Sequence, residues 1–271
     1  MGPIGGSVRD AFTIRAQPYL VPLGTVVLPR RSRQVANPFG GETSVKIVSF
    51  VTQKGGTGKS SLAVSLAVAA AESGLKAVVI DIDPQSTAEE WYKRRTAEAP
   101  AVHSISWANL SSRLYRLRQQ GYDLAIVDTP GAESHAASEA MKEAHFCLLP
   151  VRPSVADIEA SKPTVRYLNE HAKPFAFVLN QCPTGGRTSR TQNARMALQL
   201  LGGLCNPTLA HRSDHVDALA AGLGVTEFSP YGKAADEIRA VLQWLTARLR
   251  RLHATEITDD EGGAIPVRAI S

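Results

Sequence analysis

Short apolar runs alternate with longer amphipathic segments along most of the chain. The runs at 45–51, 77–83, 123–128, 145–150 and 174–180 are rich in β-branched and apolar residues, a composition typical of buried parallel strands. Helical patterns lie between several of these runs. Because strands and helices alternate, the pattern predicts an α/β fold: a doubly wound, mostly parallel sheet with helices on both faces, joined by right-handed crossovers.

The predicted helices include one with a capping-box start and one with an internal proline. Ser86 and Glu89 have the spacing of a capping box and predict that a helix begins there. A second helix is predicted over 109–120, where leucines recur on one face. A third is predicted over about 155–171, and Pro163 inside it is expected to kink or split it, because proline lacks the N–H that a helix interior needs.

A glycine-rich segment, KGGTGKSS, follows the first predicted strand and opens a helix that ends at Gly74. In this setting backbone N–H groups converge on phosphates, the Lys59 ammonium reaches the β and γ phosphates of a nucleotide, and the Ser60 hydroxyl is placed to bind Mg²⁺. Gln53 stands where the strict pattern has a glycine, so the loop is a variant. The nucleotide-binding residues predicted in this loop are Lys54, Gly55, Gly56, Thr57, Gly58, Lys59, Ser60 and Ser61.

The loop contains a second lysine in an unusual position. Lys54 precedes the glycines, where the chain leaves the strand. We expect its side chain to reach the phosphates of a partner subunit rather than those held by its own loop.

Acidic residues stand at the ends of the next two strands. Asp81 and Asp83 end the run 77–83, and Asp128 ends the run 123–128. Ligands of open α/β sheets bind at the carboxyl ends of the strands, so these acids and the loop should face one crevice. Asp128 would anchor the water shell of Mg²⁺, and Asp83 would orient or deprotonate the attacking water. An acid in such a position can instead cap the next helix, an alternative that stays open for Asp81.

The three motifs KGGTGKSS, DIDPQ and DTPG together resemble the deviant Walker A ATPases of the ParA and MinD group, from about Val45 to the helix near Arg251. The resemblance implies ATP and Mg²⁺ as ligands and a sandwich homodimer that forms with ATP, in which Lys54 crosses to the other subunit. It also implies slow hydrolysis, with Asp83 as the catalytic acid, Asp81 supporting the metal shell and Asp128 as the Walker B equivalent.

The resemblance extends to the base pocket and to the partners. Asn180 resembles the adenine-reading asparagine of the family, and the loop that contains Pro230 would close the base pocket. The family implies a ParB-like or cargo adaptor protein that stimulates ATP hydrolysis.

Basic charge is concentrated in one part of the chain. The net charge is +5; residues 1–43 hold five arginines and two acids, and residues 254–271 hold one arginine and four acids, so the part between them keeps +5. No acidic residue lies between Glu170 and Asp214, a stretch that suggests contact with non-specific DNA through phosphates. The alternative is a solvated helix face. The candidate DNA-binding residues are Arg187, Arg190, Arg195 and Arg212.

A second basic stretch is given less weight. It comprises 93–95 and the arginines of the predicted helix 109–120, and it is interpreted as the solvent-exposed faces of two helices.

Three regions are expected: an N-terminal extension at 1–43, predicted to be disordered, a ParA-like ATPase domain at 44–253, and an acidic flexible tail at 254–271. The extension is too short for a separate helix-turn-helix domain. Prolines interrupt its apolar stretch and a basic cluster follows that stretch, which argues against a secretion signal.

Cysteine usage and terminal charge bear on the location. The cysteines show no CxxC spacing, which suggests a reducing cytosol and no cysteine-bound metal. The acidic terminus has the wrong charge for a MinD-like membrane helix, so no stable membrane association is expected. We predict a cytoplasmic, nucleoid-associated protein.

Three functions remain open from the sequence. The first is a partition ATPase that binds DNA non-specifically. The second is a MinD-like or cargo-positioning ATPase acting at a membrane or the nucleoid. The third is a metabolic P-loop enzyme such as a dethiobiotin-synthetase-like ligase, which Lys54 argues against because such an enzyme needs no lysine in trans.

Overall fold

A computed structural model describes residues 45–184 and 188–261, and its strands form one sheet in which all pairs are parallel. The spatial order of the strands is β3-β2-β4-β1-β5-β6-β7. The strands are β1 Lys46–Phe50, β2 Ala77–Asp81, β3 Ala101–Ser104, β4 Leu124–Asp128, β5 Phe146–Val151, β6 Phe175–Leu179 and β7 Gly203–Leu204. The predicted doubly wound parallel sheet is therefore confirmed.

Helices follow most of the strands. They are α1 Lys59–Glu72, α2 Thr87–Arg94, α3 Leu110–Gln119, α4 His135–Glu143, α5 Val155–Glu170, α6 Ser189–Leu201, α7 Asp214–Ala220, α8 Val225–Phe228 and α9 Lys233–Glu261, with a 3-10 turn at Trp107–Asn109 before α3. None of the helices in the described ranges has both the length and the apolar composition needed to cross a bilayer.

Helix α1 lies at the centre of the packing. Its residues from Leu62 to Ala70 are all buried, as expected for a helix that is apolar on every side. It packs with one face of the sheet and with α9, and buried residues from each of these elements form one apolar cluster. The glycine-rich loop is thus attached to an element held by the core.

The register of the central strands sets the level of the acidic residues. Phe50 of β1 and Asp81 of β2 both pair with Asp128 of β4. The carboxyl ends of these three strands therefore lie at one edge of the sheet, and the loops that follow them meet there.

The predicted capping box at Ser86 is wrong. Ser86 has a φ of 51° and its side chain makes no capping hydrogen bond. The carboxylate of Asp81 replaces it, since Oδ2 accepts from the backbone N–H of Ala88 at 2.9 Å and of Glu89 at 3.2 Å. A cap from the preceding strand cannot be recognised from the spacing of Ser86 and Glu89.

Two other expectations concern α5 and α9. Pro163 does not split α5, which runs as one helix from Val155 to Glu170, because buried residues after the proline hold it against the sheet; the kink stays a prediction. Helix α9 continues to Glu261, past the expected domain boundary at 253, which stays a prediction. The residues after Leu252 include no glycine or proline before Gly262, so nothing in the sequence ends the helix earlier.

Candidate nucleotide-binding site

The glycine-rich loop connects β1 to the start of α1 and turns sharply at its last glycine. Gly58 has a φ of 91°, in the left-handed region that glycine adopts without strain. Its carbonyl accepts from the backbone N–H of Leu62 at 2.9 Å, which begins the hydrogen bonding of α1. The N-terminus of a buried helix therefore opens directly onto the loop, an arrangement that favours anions.

A crevice of about 570 Å³ lies beside this loop. Each of the three predicted motifs contributes residues to its wall, and of the three predicted acids Asp83 lines it. The wall includes Gly55, Gly56, Gly58, Lys59, Ser60 and Ser61 from the loop, Asp83, Pro84 and Gln85 after β2, and Pro130, Gly131 and Ala132 after β4.

The loop after β4 approaches the glycine-rich loop closely. A Cβ placed on Gly131 would lie 3.1 Å from Gly55 Cα and 3.3 Å from Lys59 Nζ. A side chain at this position would press on Gly55 and Lys59. The glycine of DTPG therefore allows the two loops to approach closely.

The Lys59 side chain is buried beside two carboxylates. Burial lowers its pKa, and the charges of Asp128 and Asp83 oppose that effect. An ammonium held in this way is ready to meet phosphate oxygens in a region of low dielectric, where the attraction is strong.

Asp128 is fully buried, and the charge of Lys59 acts on its carboxylate. Neither oxygen makes a hydrogen bond of normal geometry with the described residues, although Ser60 lies close enough to lower the pKa of the carboxyl. Burial dominates and raises the pKa of Asp128 to about 7. A buried carboxylate without a regular hydrogen bond is costly unless a cation or its hydration shell approaches, so the site fits the predicted Mg²⁺.

Asp81 accepts several hydrogen bonds from the backbone. Its oxygens accept from the backbone N–H groups of Asp83, Ala88 and Glu89. Burial raises the pKa of Asp81 in spite of these bonds. The structure therefore shows the helix-capping alternative for this carboxylate, while its expected support of the metal shell stays a prediction.

Asp83 is the acid that reaches the crevice. It is partly exposed, and its Oδ1 accepts from the backbone N–H of Gln85 at 2.9 Å. That bond fixes the side chain and leaves its other oxygen available for a water molecule.

Lys54 is separated from the crevice that holds Lys59. It is absent from the crevice wall, and its ammonium makes no hydrogen bond or ion pair within residues 45–184 and 188–261. Its backbone is fixed, since its carbonyl accepts from the Thr57 hydroxyl at 3.4 Å and its N–H donates to the Thr52 hydroxyl at 3.3 Å. A fixed backbone thus carries an ammonium with no partner in the described chain.

The residues predicted to bind the base do not line this crevice. The Asn180 amide donates to the Thr57 carbonyl at 2.7 Å and accepts from the Gln181 N–H at 2.8 Å, so it supports the glycine-rich loop. Pro230 is exposed, and its carbonyl accepts from Arg239 at 2.7 Å. The expected adenine contacts stay predictions.

One loop-supporting residue was missed by the sequence analysis. Gln181 donates from Nε2 to the carbonyl of Gly56 at 3.0 Å. A glutamine after a strand carries no motif, and only its position next to Asn180 could have suggested the role.

The predicted basic surface is largely used inside the protein. Arg195 donates to the carbonyl and the side chain of Asn206, and Arg212 forms an ion pair with Glu237 at 2.6 Å. Arg190 is exposed on α6, and Arg187 lies outside the described residues. The stretch 171–213 contains no acidic residue of its own. In the folded protein, however, Glu237 of α9 lies beside it and neutralises Arg212.

We predict that Arg212→Ala lowers the free energy of unfolding by about 1–3 kcal/mol, because it leaves a half-buried Glu237 without its charged partner. Thermal or urea unfolding would measure the loss, and Arg190→Ala, which removes an exposed arginine of α6, is the matched control. An unchanged stability would show that the Arg212–Glu237 pair contributes little and that Arg212 is available to bind other groups.

Comparison with known proteins agrees with the geometry. The profile of the CobQ/CobB/MinD/ParA nucleotide binding domain matches residues 48–251. The maintenance of carboxysome distribution protein A of Halothiobacillus neapolitanus is 28% identical over 199 residues, which cover 70% of this chain and 91% of that protein. The chromosome-partitioning ATPase Soj of Thermus thermophilus is 24% identical over 245 residues, covering 76% of this chain and 97% of its own length.

A solved structure shows the same fold. The ATP complex of McdA from Cyanothece superposes with a TM-score of 0.61 at 17% identity, covering 76% of this chain and 97% of that one.

Proposed function

Since the chain belongs to the CobQ/CobB/MinD/ParA nucleotide binding domain family, we propose that it is an ATPase that dimerises with ATP and partitions or positions DNA or another cargo. The observation that carries the proposal is the separation of its two loop lysines. Lys59 lies in the crevice with Asp83 and near Asp128, whereas Lys54 stands outside it with no partner in the described chain.

ATP binding is assigned to the glycine-rich loop and to two buried charged residues, Lys59 and Asp128. Backbone N–H groups at the start of α1 and the Lys59 ammonium would hold the phosphates. Ser60 and Asp128 would hold Mg²⁺, which supplies positive charge to the β and γ phosphates when bound. The carboxylate of Asp128, which lacks a regular hydrogen bond with the described residues, supports this assignment.

Hydrolysis would depend on Asp83 and on a second copy of the chain. Asp83 would orient or deprotonate the attacking water from the crevice wall. Lys54 would extend from one subunit to the phosphates of the other and stabilise charge that develops in the transition state. Dimerisation then acts as the switch, and slow hydrolysis, stimulated by a ParB-like or cargo adaptor protein, resets it.

The direct test is to measure oligomeric state and turnover together. Sedimentation with Mg²⁺ and ATP should give a dimer and sedimentation with Mg²⁺ and ADP a monomer, while phosphate release should be slow. A monomer under every nucleotide condition, with ATP turnover intact, would reject the dimer switch and favour a metabolic P-loop enzyme.

Non-specific DNA is the proposed surface on which the dimer moves, which would associate it with the nucleoid. The net charge of +5 supports this, as does the exposed Arg190 on α6. The chromosome-partitioning relative supports a partition role.

Replacing Arg187 and Arg190 with glutamine should lower the slope of log affinity against log salt by about 0.9 for each DNA phosphate that is no longer neutralised. A fluorescence titration of duplex DNA with ATP at several salt concentrations would measure it. Arg166→Gln, an exposed arginine on α5, is the matched control. If the double variant and Arg166→Gln gave the same slope, the DNA-binding surface would lie elsewhere. The ATPase rate measured without DNA should not change in either variant.

Similarity to the carboxysome distribution protein favours a second candidate, a cargo-positioning or MinD-like ATPase acting at the nucleoid or a membrane. We propose no stable membrane association. Flotation of the ATP-bound protein with anionic phospholipid vesicles, beside DNA binding under the same conditions, separates the two: DNA binding alone supports a nucleoid surface, and flotation alone supports a membrane.

A further inference from the structure

Two neighbouring side-chain amides after β6 bind the backbone of the glycine-rich loop. Nδ2 of Asn180 donates to the Thr57 carbonyl at 2.7 Å, and Nε2 of Gln181 donates to the Gly56 carbonyl at 3.0 Å. Neither amide belongs to the crevice wall, which Gly56 and Gly58 do line. Consecutive carbonyls of the loop are thus bound by consecutive residues of another element.

The consequence follows from the geometry of the peptide bond. In a planar trans peptide the C=O and the N–H point in opposite directions. A peptide whose Gly56 carbonyl is bound by Gln181 therefore turns the N–H of Thr57 to the other side. In the same way, the bond from Asn180 turns the N–H of Gly58 away from Asn180, which does not line the crevice.

Gly58 lies in close contact with Asn180, and Gln181 has an unusual backbone conformation. A Cβ on Gly58 would lie 2.5 Å from Nδ2 of Asn180 and 3.8 Å from Nε2 of Gln181. Gln181 itself has a φ of 53°, a conformation that side-chain-bearing residues seldom adopt. Such a conformation persists only when surrounding contacts favour it, and the bond to Gly56 is one such contact.

We propose that Gln181 is a positioning residue for the nucleotide: it holds the Gly56 peptide so that the following N–H faces the phosphates of a bound nucleoside triphosphate. The proposal rests on the ATP binding proposed above and adds a residue that acts through the loop rather than by touching the ligand. A loop ordered before binding loses less conformational freedom when the phosphates arrive.

The test compares donors of different kinds at one position. Gln181→Glu keeps the size of the side chain but removes the donor and places a carboxylate against the Gly56 carbonyl. We expect about 3- to 10-fold weaker binding of a fluorescent ATP analogue with Mg²⁺, since a hydrogen bond contributes about 0.5–1.5 kcal/mol and 1.4 kcal/mol is tenfold. Gln181→Lys retains a donor and should stay within about twofold of the unmodified protein. KM for ATP should rise in Gln181→Glu with kcat changed much less.

Gln181→Gly and Gln199→Glu complete the series. Glycine relieves the positive φ while it removes the amide, so folding stability should be kept while nucleotide affinity falls. Gln199 is exposed on α6, and its change to Glu controls for the added charge. Binding by Gln181→Glu as tight as that of the unmodified protein would overturn this inference alone. No binding by the unmodified protein would overturn the proposed function and this inference with it.

Discussion

Lys54→Ala is expected to abolish the ATP-dependent dimer while ATP binding stays measurable. The crevice residues that hold the phosphates, Lys59 among them, are untouched by the change, because Lys54 does not line that wall. Partner-stimulated turnover should fall by roughly 100-fold or more, as expected when a cation supplied in trans to a phosphoryl transfer is removed. Sedimentation with ATP, fluorescent-nucleotide titration and phosphate release measure the three quantities.

The control variants separate the two lysines. Lys59→Ala should lose nucleotide affinity itself, and with it every later step. Lys162→Ala removes a surface lysine whose ion pair with Glu159 is exposed, and it should behave as the unmodified protein. A Lys54→Ala protein that still dimerised with ATP would refute the role of Lys54 in trans.

Asp83→Ala should have the opposite effect on the dimer. It removes the acid that would act on the attacking water and leaves the phosphate-binding groups in place, so the ATP dimer should persist on DNA. Turnover should fall by about 100-fold or more, the usual contribution of a general base. Single-turnover phosphate release and the lifetime of the DNA complex measure the effect.

Asp81→Asn is the informative comparison for this variant. Its carboxylate caps α2 through Ala88 and Glu89, so we expect its main effect on folding stability rather than on the chemical step. Unchanged turnover in Asp83→Ala would exclude it as the catalytic acid. A loss of turnover in a well-folded Asp81→Asn protein would restore a role for Asp81 in the metal shell.

Long apolar runs made the centre of the fold predictable. The strands β1, β2, β4, β5 and β6 are buried almost throughout, so their sequences carry no polar alternation and stand out. The missed strands lie at the two edges: β3 is only partly buried, and β7 has two residues. Neither is long or apolar enough to show a pattern.

The site was predictable where a residue acts through local geometry and not where its partner is distant. The loop, Asp83 and Asp128 follow from their positions at strand ends, and the structure brings them together. The pairing of Arg212 with Glu237 depends on how α9 packs, and no local pattern reports it. The bond from Gln181 to Gly56 also joins residues far apart in the chain.

The shortness of β7 has a consequence for self-association. Its residues Gly203 and Leu204 pair with Ala176 and Phe177 of β6, so this flank of the sheet presents only a brief template for a strand from a neighbouring molecule. Fibre-like growth by strand addition is therefore disfavoured at that flank. The proposed cycle of ATP-dependent dimerisation and separation would benefit from this short edge strand, because reversible dimerisation at another surface would not compete with irreversible strand addition.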